Sequence, residues 1–297
     1  MSWARVEQLI GAGNLQRLAQ KRVGVVGLGS GGGFAALSLA MSGVGKFVLI
    51  DGDVLEPGNM VRHVADLRDV GRPKAEAVAD LIRQRNPNAE VTVRIGRVEQ
   101  HLDALDGLDL LVCGVDGENA KYIVNQACLE RNLPAVYAGV YERGEGGDVV
   151  IIHPYDGPCY ACWAAELRDE LAKPQAAGEL DYGMIGPEGT LEAEPGLWLH
   201  VVRVAAAQAD MALNELLNGT EVYRALPGNT VILANTALEI IAGEISTPYS
   251  AVWATVERNP YCLVCGNPRL AEQEGGSLDD LAQMTGIVME EDEGKQS

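Results

Sequence analysis

Positive charge is what this chain has least of. Its 297 residues carry 23 Lys and Arg against 42 Asp and Glu, a net charge of −19. A protein that tracks nucleic-acid phosphates needs a basic stripe to release counterions, so nucleic acid is excluded as a partner. No apolar run reaches the roughly 18 residues that a bilayer span requires, which excludes a membrane segment. There is no collagen-like glycine period, no internal repeat, and no low-complexity linker before residue 271. The first residues, MSWARVEQLIGAGN, have no basic stretch followed by an apolar core, so no secretory leader is expected. A soluble, cytoplasmic globule is the expectation.

What is present is more specific. Hydrophobic residues make up 47% of the chain, which excludes wholesale disorder. The 35 glycines exceed an average share of about 7%, pointing to tight turns and close backbone approach. The acidity is uneven, since residues 272–297 hold eight Asp and Glu against Lys295. This tail reads as solvated, although Leu281, Met284, Ile287 and Val288 give it an apolar side.

Four of the six cysteines form two C-x-x-C pairs, Cys159 with Cys162 and Cys262 with Cys265. In a long chain of this kind, paired C-x-x-C reads first as a tetrahedral thiolate zinc site. Redox dithiols, or two unrelated surface turns, are the other readings. The pairs are so far apart in sequence that a shared metal would clip distant segments together. Cys113 lies in an apolar strand and Cys128 on a helix face, both as packing residues.

Periodicity predicts short helices within 3–20, then strands at 23–26, 47–50, 91–95, 108–113 and 135–138. Helices at 34–41, 73–85 and 118–131 alternate with them. That order predicts an α/β fold, a Rossmann-like mostly parallel sheet covered on both faces. After residue 144 the texture changes. Antiparallel strands are expected at 148–152 and 230–241, with a helix at 197–217 between. Residues 173–196 are polar and rich in Pro and Gly, as in a lid or crossing loop.

Gly27-Leu28-Gly29-Ser30-Gly31-Gly32 follows a strand and opens a helix, an arrangement whose amides cradle phosphates. Asp51 ends the next strand, where a carboxylate would bond ribose hydroxyls. On these residues alone NAD would be the favoured nucleotide.

The following run decides otherwise. Asp51, Asp53, Asn59, Arg62 and His63 lead into Gly71-Arg72-Pro73-Lys74-Ala75. This resembles the D-x-D…N-x-x-R and G-x-x-K-A signature of the ubiquitin-activating superfamily in its bacterial ThiF/MoeB branch. The resemblance runs from about residue 5 to residue 270 and takes in both cysteine pairs. The element Cys113-Gly114-Val115-Asp116-Gly117-Glu118-Asn119 resembles that family's strand-end D-x-x-D-N, with Asp116 on its second acid.

The resemblance implies ATP-dependent adenylation of the C-terminal glycine carboxylate of a small ubiquitin-like β-grasp protein ending in Gly-Gly. It implies Gly27, Gly29, Ser30 and Gly32 as the phosphate cradle, with Asp51 on the ribose. Asp53 would serve as a second ribose or metal ligand, or as a strand-end cap. Arg62 and Lys74 would neutralise phosphate charge, Asn59 would bond a phosphate or position the arginine, and Asp116 would hold Mg2+. Arg5 falls near the arginine that reaches across a homodimer into the partner's site, with Arg17 and Arg22 as competitors. Zn2+ would sit on Cys159, Cys162, Cys262 and Cys265. The implied organisation is N-terminal helices (1–20), an ATP-binding half (21–145), a substrate half with crossing loop and zinc site (146–270), and an acidic tail (271–297).

Two departures matter. His63 stands where the family has glutamine, its role open between phosphate and substrate. No cysteine lies between Cys162 and Cys262, and Thr190 falls near the thioester position, so the acyl-adenylate is expected to be the final product here, consumed by a thiol or sulfur-donor protein. Arg72 reads as surface, His200 as a partly buried helix residue, and no base stands near His101 or His153 in sequence. An NAD(P) oxidoreductase and a non-catalytic zinc-bearing scaffold of the same fold remain the competing classes.

Overall fold

The computed structural model describes residues 2–167, 196–241 and 244–267. Most of the expected crossing loop, Thr190 included, and the acidic tail lie outside them.

Two short helices, α1 (Ala4–Ile10) and α2 (Ala12–Gln20), are separated by Gly11, whose φ of 82° suits glycine alone. Then β1 (Arg22–Val26), α3 (Ser30–Met41), β2 (Lys46–Asp51), α4 (Lys74–Arg85) and β3 (Glu90–Ile95) wind one way across the sheet. The chain returns to the other side of β1 with β4 (Leu110–Cys113), α5 (Glu118–Arg131) and β5 (Ala135–Val140). These five strands are parallel, in the order β3-β2-β1-β4-β5. Beyond β5 the sheet continues antiparallel through β6 (Gly146–Ile152), β7 (Thr230–Ala234) and β10 (Ala251–Ala254). Between β6 and β7 come α6 (Tyr160–Leu167) and α7 (Trp198–Leu216).

The strands read as unbroken apolar runs because both faces are covered. Val23 and Val25 of β1 face the cluster holding α3, α4 and α7, while Val26 faces the cluster holding α5 and α6. Residues of β2, β4, β5 and β6 alternate between the same two cores.

The expected strand at 230–241 divides in two. Asn235 and Thr236 both donate their backbone N–H to the Glu145 carbonyl, and Asn235 Nδ2 bonds the Gly144 carbonyl at 2.9 Å. The chain turns there into a separate hairpin of β8 (Leu238–Ile241) and β9 (Glu244–Ser246).

Candidate functional site

Strand order reverses between β1 and β4, and the crevice at the carboxyl ends of such strands is where open α/β sheets bind ligands. Glycines make this crevice. Gly27 has φ 82°, and a Cβ there would stand 2.7 Å from the Gly114 backbone. A Cβ on Gly32 would lie 1.9 Å from the Gly27 carbonyl oxygen, and one on Gly114 2.7 Å from that same oxygen. These three glycines press the ends of β1, α3 and β4 together. Gly29, by contrast, has open space where its Cβ would be. It is the N-cap of α3 and supplies no side chain to cap it. The first-turn amides around Gly29 and Ser30 therefore form an anion cradle with the positive end of the helix behind them.

Asp51 fastens the cradle from β2. Its Oδ2 accepts from the Leu28 N–H at 2.6 Å and its Oδ1 from the Asp53 N–H at 2.7 Å, and the residue is buried. The next segment is pinned to the start of α4. Val54 bridges Pro73, the Leu55 N–H donates to the Arg72 carbonyl, and the Lys74 N–H donates to the Asp53 carbonyl at 2.9 Å. That pinning brings Lys74 Nζ within 2.7 Å of Asp53 Oδ2. The lysine side chain is 15% exposed and the aspartate 72%, so the pair stands at the rim.

Asn59 sits in a 3-10 turn, Pro57–Arg62, where its Oδ1 accepts from the Glu56 N–H at 3.0 Å in a capping box. The turn ends on the half-buried Arg62. His63 follows, buried, with Nε2 2.7 Å from the Leu28 carbonyl oxygen and Nδ1 accepting from the Ala65 N–H at 3.0 Å. Burial, then the charge of Lys74, holds its pKa below the ordinary imidazole value, against raising effects of the Leu28 hydrogen bond and of Asp51. The ring is thus a neutral fastener between the Arg62 turn and the glycine loop. Local sequence could not show this, since Leu28 is 35 positions away.

Asp116 is exposed in the turn between β4 and α5, directly after the Gly114 contact with the cradle. Arg5 is exposed on α1, a helix none of whose residues is buried. Arg17 bonds the Asn218 carbonyl and Arg22 the Asp106 carbonyl, so both competitors serve the fold. Arg72 pairs with Asp69 at 2.7 Å and Asp80 at 2.6 Å. His153 does have a base beside it, which corrects the reading from sequence spacing. Its Nε2 is 3.1 Å from Glu215 Oε1, and that hydrogen bond raises its pKa. The partner comes from α7, out of reach of any local pattern.

The four cysteines converge. All four Sγ atoms lie within 4.8 Å of one another, at 3.8 Å for Cys159–Cys162, 3.8 Å for Cys159–Cys262 and 3.4 Å for Cys162–Cys265. Four sulfurs ~2.3 Å from one zinc ion would be about 3.8 Å apart, so the cluster fits zinc. Cys159 precedes α6 and Cys162 lies in its first turn. The second knuckle is turned by the Val264 N–H donating to Cys262 Sγ and the Gly266 N–H donating to the Cys262 carbonyl. Cys113 and Cys128 lie elsewhere, buried, and burial pushes each thiol up to about 12.

The profile of the ThiF family matches residues 4–264. The SAMP-activating enzyme E1 of Haloferax volcanii is 32% identical over 271 residues, covering 89% of this chain and 86% of that one. The sulfur carrier protein ThiS adenylyltransferase of Escherichia coli is 30% identical over 60% of this chain and 71% of its own. Among solved structures, E. coli MccB with ATP superposes with a TM-score of 0.63 at 21% identity, covering 85% of this chain and 69% of that one, a likeness of fold. The NAD reading of the glycine loop falls with these matches, because the ThiF family match runs from residue 4 to residue 264, far beyond that loop.

Proposed function

The chain belongs to the ThiF family, and on that footing we propose that it adenylates the C-terminal glycine carboxylate of a small ubiquitin-like protein. The observation that carries this reading is the uncapped α3 N-terminus, opened at Gly29 and joined through Asp51 and His63 to the segment bearing Arg62 and Lys74. Such a site suits a polyphosphate. A carboxylate oxygen attacks the α-phosphorus of ATP, a P–O bond forms, and the bond to pyrophosphate breaks with its electrons leaving on the pyrophosphate oxygen. Little covalent work falls to the protein, so positioning and charge neutralisation dominate. The α3 amides, Lys74 and Arg62 take the phosphate charge, and Asp51 takes the ribose. Asp116 would hold Mg2+, which would supply further neutralisation of the phosphate charge.

The acyl-adenylate is the end product on this chain. Cys113 and Cys128 are buried thiols held protonated at neutral pH, and the remaining four cysteines belong to the cluster. A sulfur donor or a partner's thiol consumes it. The names of the relatives, SAMP-activating and ThiS-directed, support a ubiquitin-like or sulfur-carrier substrate. The enzyme acts as a homodimer, Arg5 crossing to the partner's site. No helix of the described residues is long and apolar enough to cross a membrane, in keeping with work in the cytoplasm.

Pyrophosphate exchange tests the reading. Labelled pyrophosphate is expected to enter ATP only when a Gly-Gly-ended β-grasp protein is present, and Lys74→Ala is expected to slow this by about 100-fold. Exchange undiminished in Lys74→Ala, or no exchange with any such protein, overturns it.

A further inference from the structure

The turn carrying Asp116 is gripped from the side of the four-cysteine cluster. Glu118, the first residue of α5, stands two positions beyond Asp116, and both oxygens of its carboxylate are engaged. Oε1 accepts from Lys121 Nζ at 2.9 Å, and Oε2 accepts from the Tyr160 hydroxyl at 2.8 Å. Lys121 is 3% exposed, a depth at which an ammonium group needs a paired charge. The same ammonium stands 5.9 Å over the Tyr160 ring.

Tyr160 is itself packed on several sides. It is 1% exposed, with its ring 5.6 Å from Tyr122, 4.7 Å from Tyr137 and 5.4 Å from Trp163, centroid to centroid. Its N–H donates to Asn125 Oδ1 of α5 at 2.9 Å. In sequence it lies between two members of the cluster, Cys159 and Cys162. On the other side of the link, Gly117 at the N-cap supplies no side chain to α5, and Glu118 ties that first turn to the core instead.

We propose that Tyr160 and Glu118 are positioning residues for Asp116, coupling the cysteine cluster to the binding of magnesium and nucleotide. The cluster fixes the knuckle, the knuckle fixes the Tyr160 hydroxyl, and the hydroxyl together with Lys121 fixes the Glu118 carboxylate. Glu118 in turn sets the direction of the turn from which Asp116 projects. This rests on the proposed role of Asp116. Mg2+ tolerates little departure from its preferred oxygen coordination, so a small displacement of one carboxylate would weaken binding of the magnesium complex more than that of bare ATP.

Tyr160→Phe keeps the ring and removes one oxygen; Glu118→Gln keeps the size and removes the charge. Each variant, purified with its zinc content measured by plasma mass spectrometry, is assayed for the free Mg2+ giving half-maximal pyrophosphate exchange. ATP binding is measured by calorimetry with and without Mg2+. Both variants are expected to keep the parent's zinc, to bind Mg-free ATP as the parent does, and to need about tenfold more Mg2+. The double variant is expected to add nothing beyond either single one. An unchanged Mg2+ requirement in both variants overturns the proposal, even if kcat and thermal stability fall. Glu118→Gln leaves the buried Lys121 without its paired charge, so should that variant fail to fold, Tyr160→Phe carries the test. Asp116→Ala separates the two levels. Exchange lost there, with the Tyr160 and Glu118 variants unmoved, defeats the coupling and leaves the function standing; exchange undiminished there defeats the role of Asp116 and the coupling with it.

Discussion

His63 is a single buried residue with a defined physical consequence. Its ring donates from Nε2 to the Leu28 carbonyl and accepts at Nδ1 from the Ala65 N–H, an arrangement only the neutral tautomer satisfies. Burial lowers its pKa below the ordinary value of 6.5. As pH falls through that value the unfolded chain takes up the proton before the folded one does. The contribution of His63 to stability is therefore complete above pH 6.5 and declines below it until the folded pKa is reached. Glutamine can donate and accept at the same two places without titrating. Denaturant midpoints of the parent are expected to fall from pH 7.5 to 5.5 more steeply than those of His63→Gln. The raised pKa of His153 bears on both proteins alike and cancels in the comparison. His63→Ala, which orphans a buried carbonyl and a buried N–H, is expected to cost about 2–3 kcal/mol at neutral pH. Parallel pH slopes in parent and His63→Gln would remove this account.

At the scale of elements, the glycine loop divides into glycines that hold the fold and one that opens the site. Gly32 faces the Gly27 carbonyl, so the Cβ of Gly32→Ala would have to displace α3 from β1. Gly29 has φ −68° and open space around it, which alanine tolerates. Gly29→Ala is expected to melt within a few degrees of the parent yet bind ATP at least about tenfold more weakly, since its methyl stands in the cradle. Gly32→Ala is expected to lose stability by several kcal/mol, on the order of an overpacked core. Calorimetry and thermal melts on both variants check this, and unchanged ATP affinity in Gly29→Ala would remove the cradle from the site.

The same scale explains what the sequence made legible. The helix at 118–131 was readable to the residue, and the strand–turn–helix of the cradle nearly so, because buried parallel strands and helices with an apolar period write their own pattern. The hairpin after Ala234 and the edge strand β10 were not readable. The turn at Asn235 is held by carbonyls of residues 144 and 145, and β10 alternates between exposed and half-buried positions without a strong apolar run. Lys74, Arg62 and Asp116 were named by motif, whereas the Glu118–Tyr160 and His63–Leu28 links depend on chain approaches 42 and 35 residues apart that no window of sequence contains.

For the whole molecule the open question is why α1 exists. It is seven residues long, shorter than an isolated helix can hold in water, and none of its residues is buried. Leu9 is 76% exposed, and Arg5 is exposed on the same short helix. A partner chain lying over α1 would bury that leucine and offer Arg5 an anionic target, the nucleotide in the partner's site. Every chain carries a net charge of −19, so association is expected to tighten as salt screens the repulsion up to about 0.15 M. Complementation distinguishes an arginine acting in trans from one acting in cis. Arg5→Ala keeps an intact Asp116, and Asp116→Ala keeps an intact Arg5, so each homodimer lacks one part in both of its sites. A mixed dimer has one site with both parts, provided that the arginine crosses. After joint denaturation and refolding, random pairing makes half the dimers mixed, and pyrophosphate exchange is expected to recover to about a quarter of the parent value. If Arg5 served its own chain, every site in the mixture would stay defective, and the absence of recovery would assign α1 to some other contact.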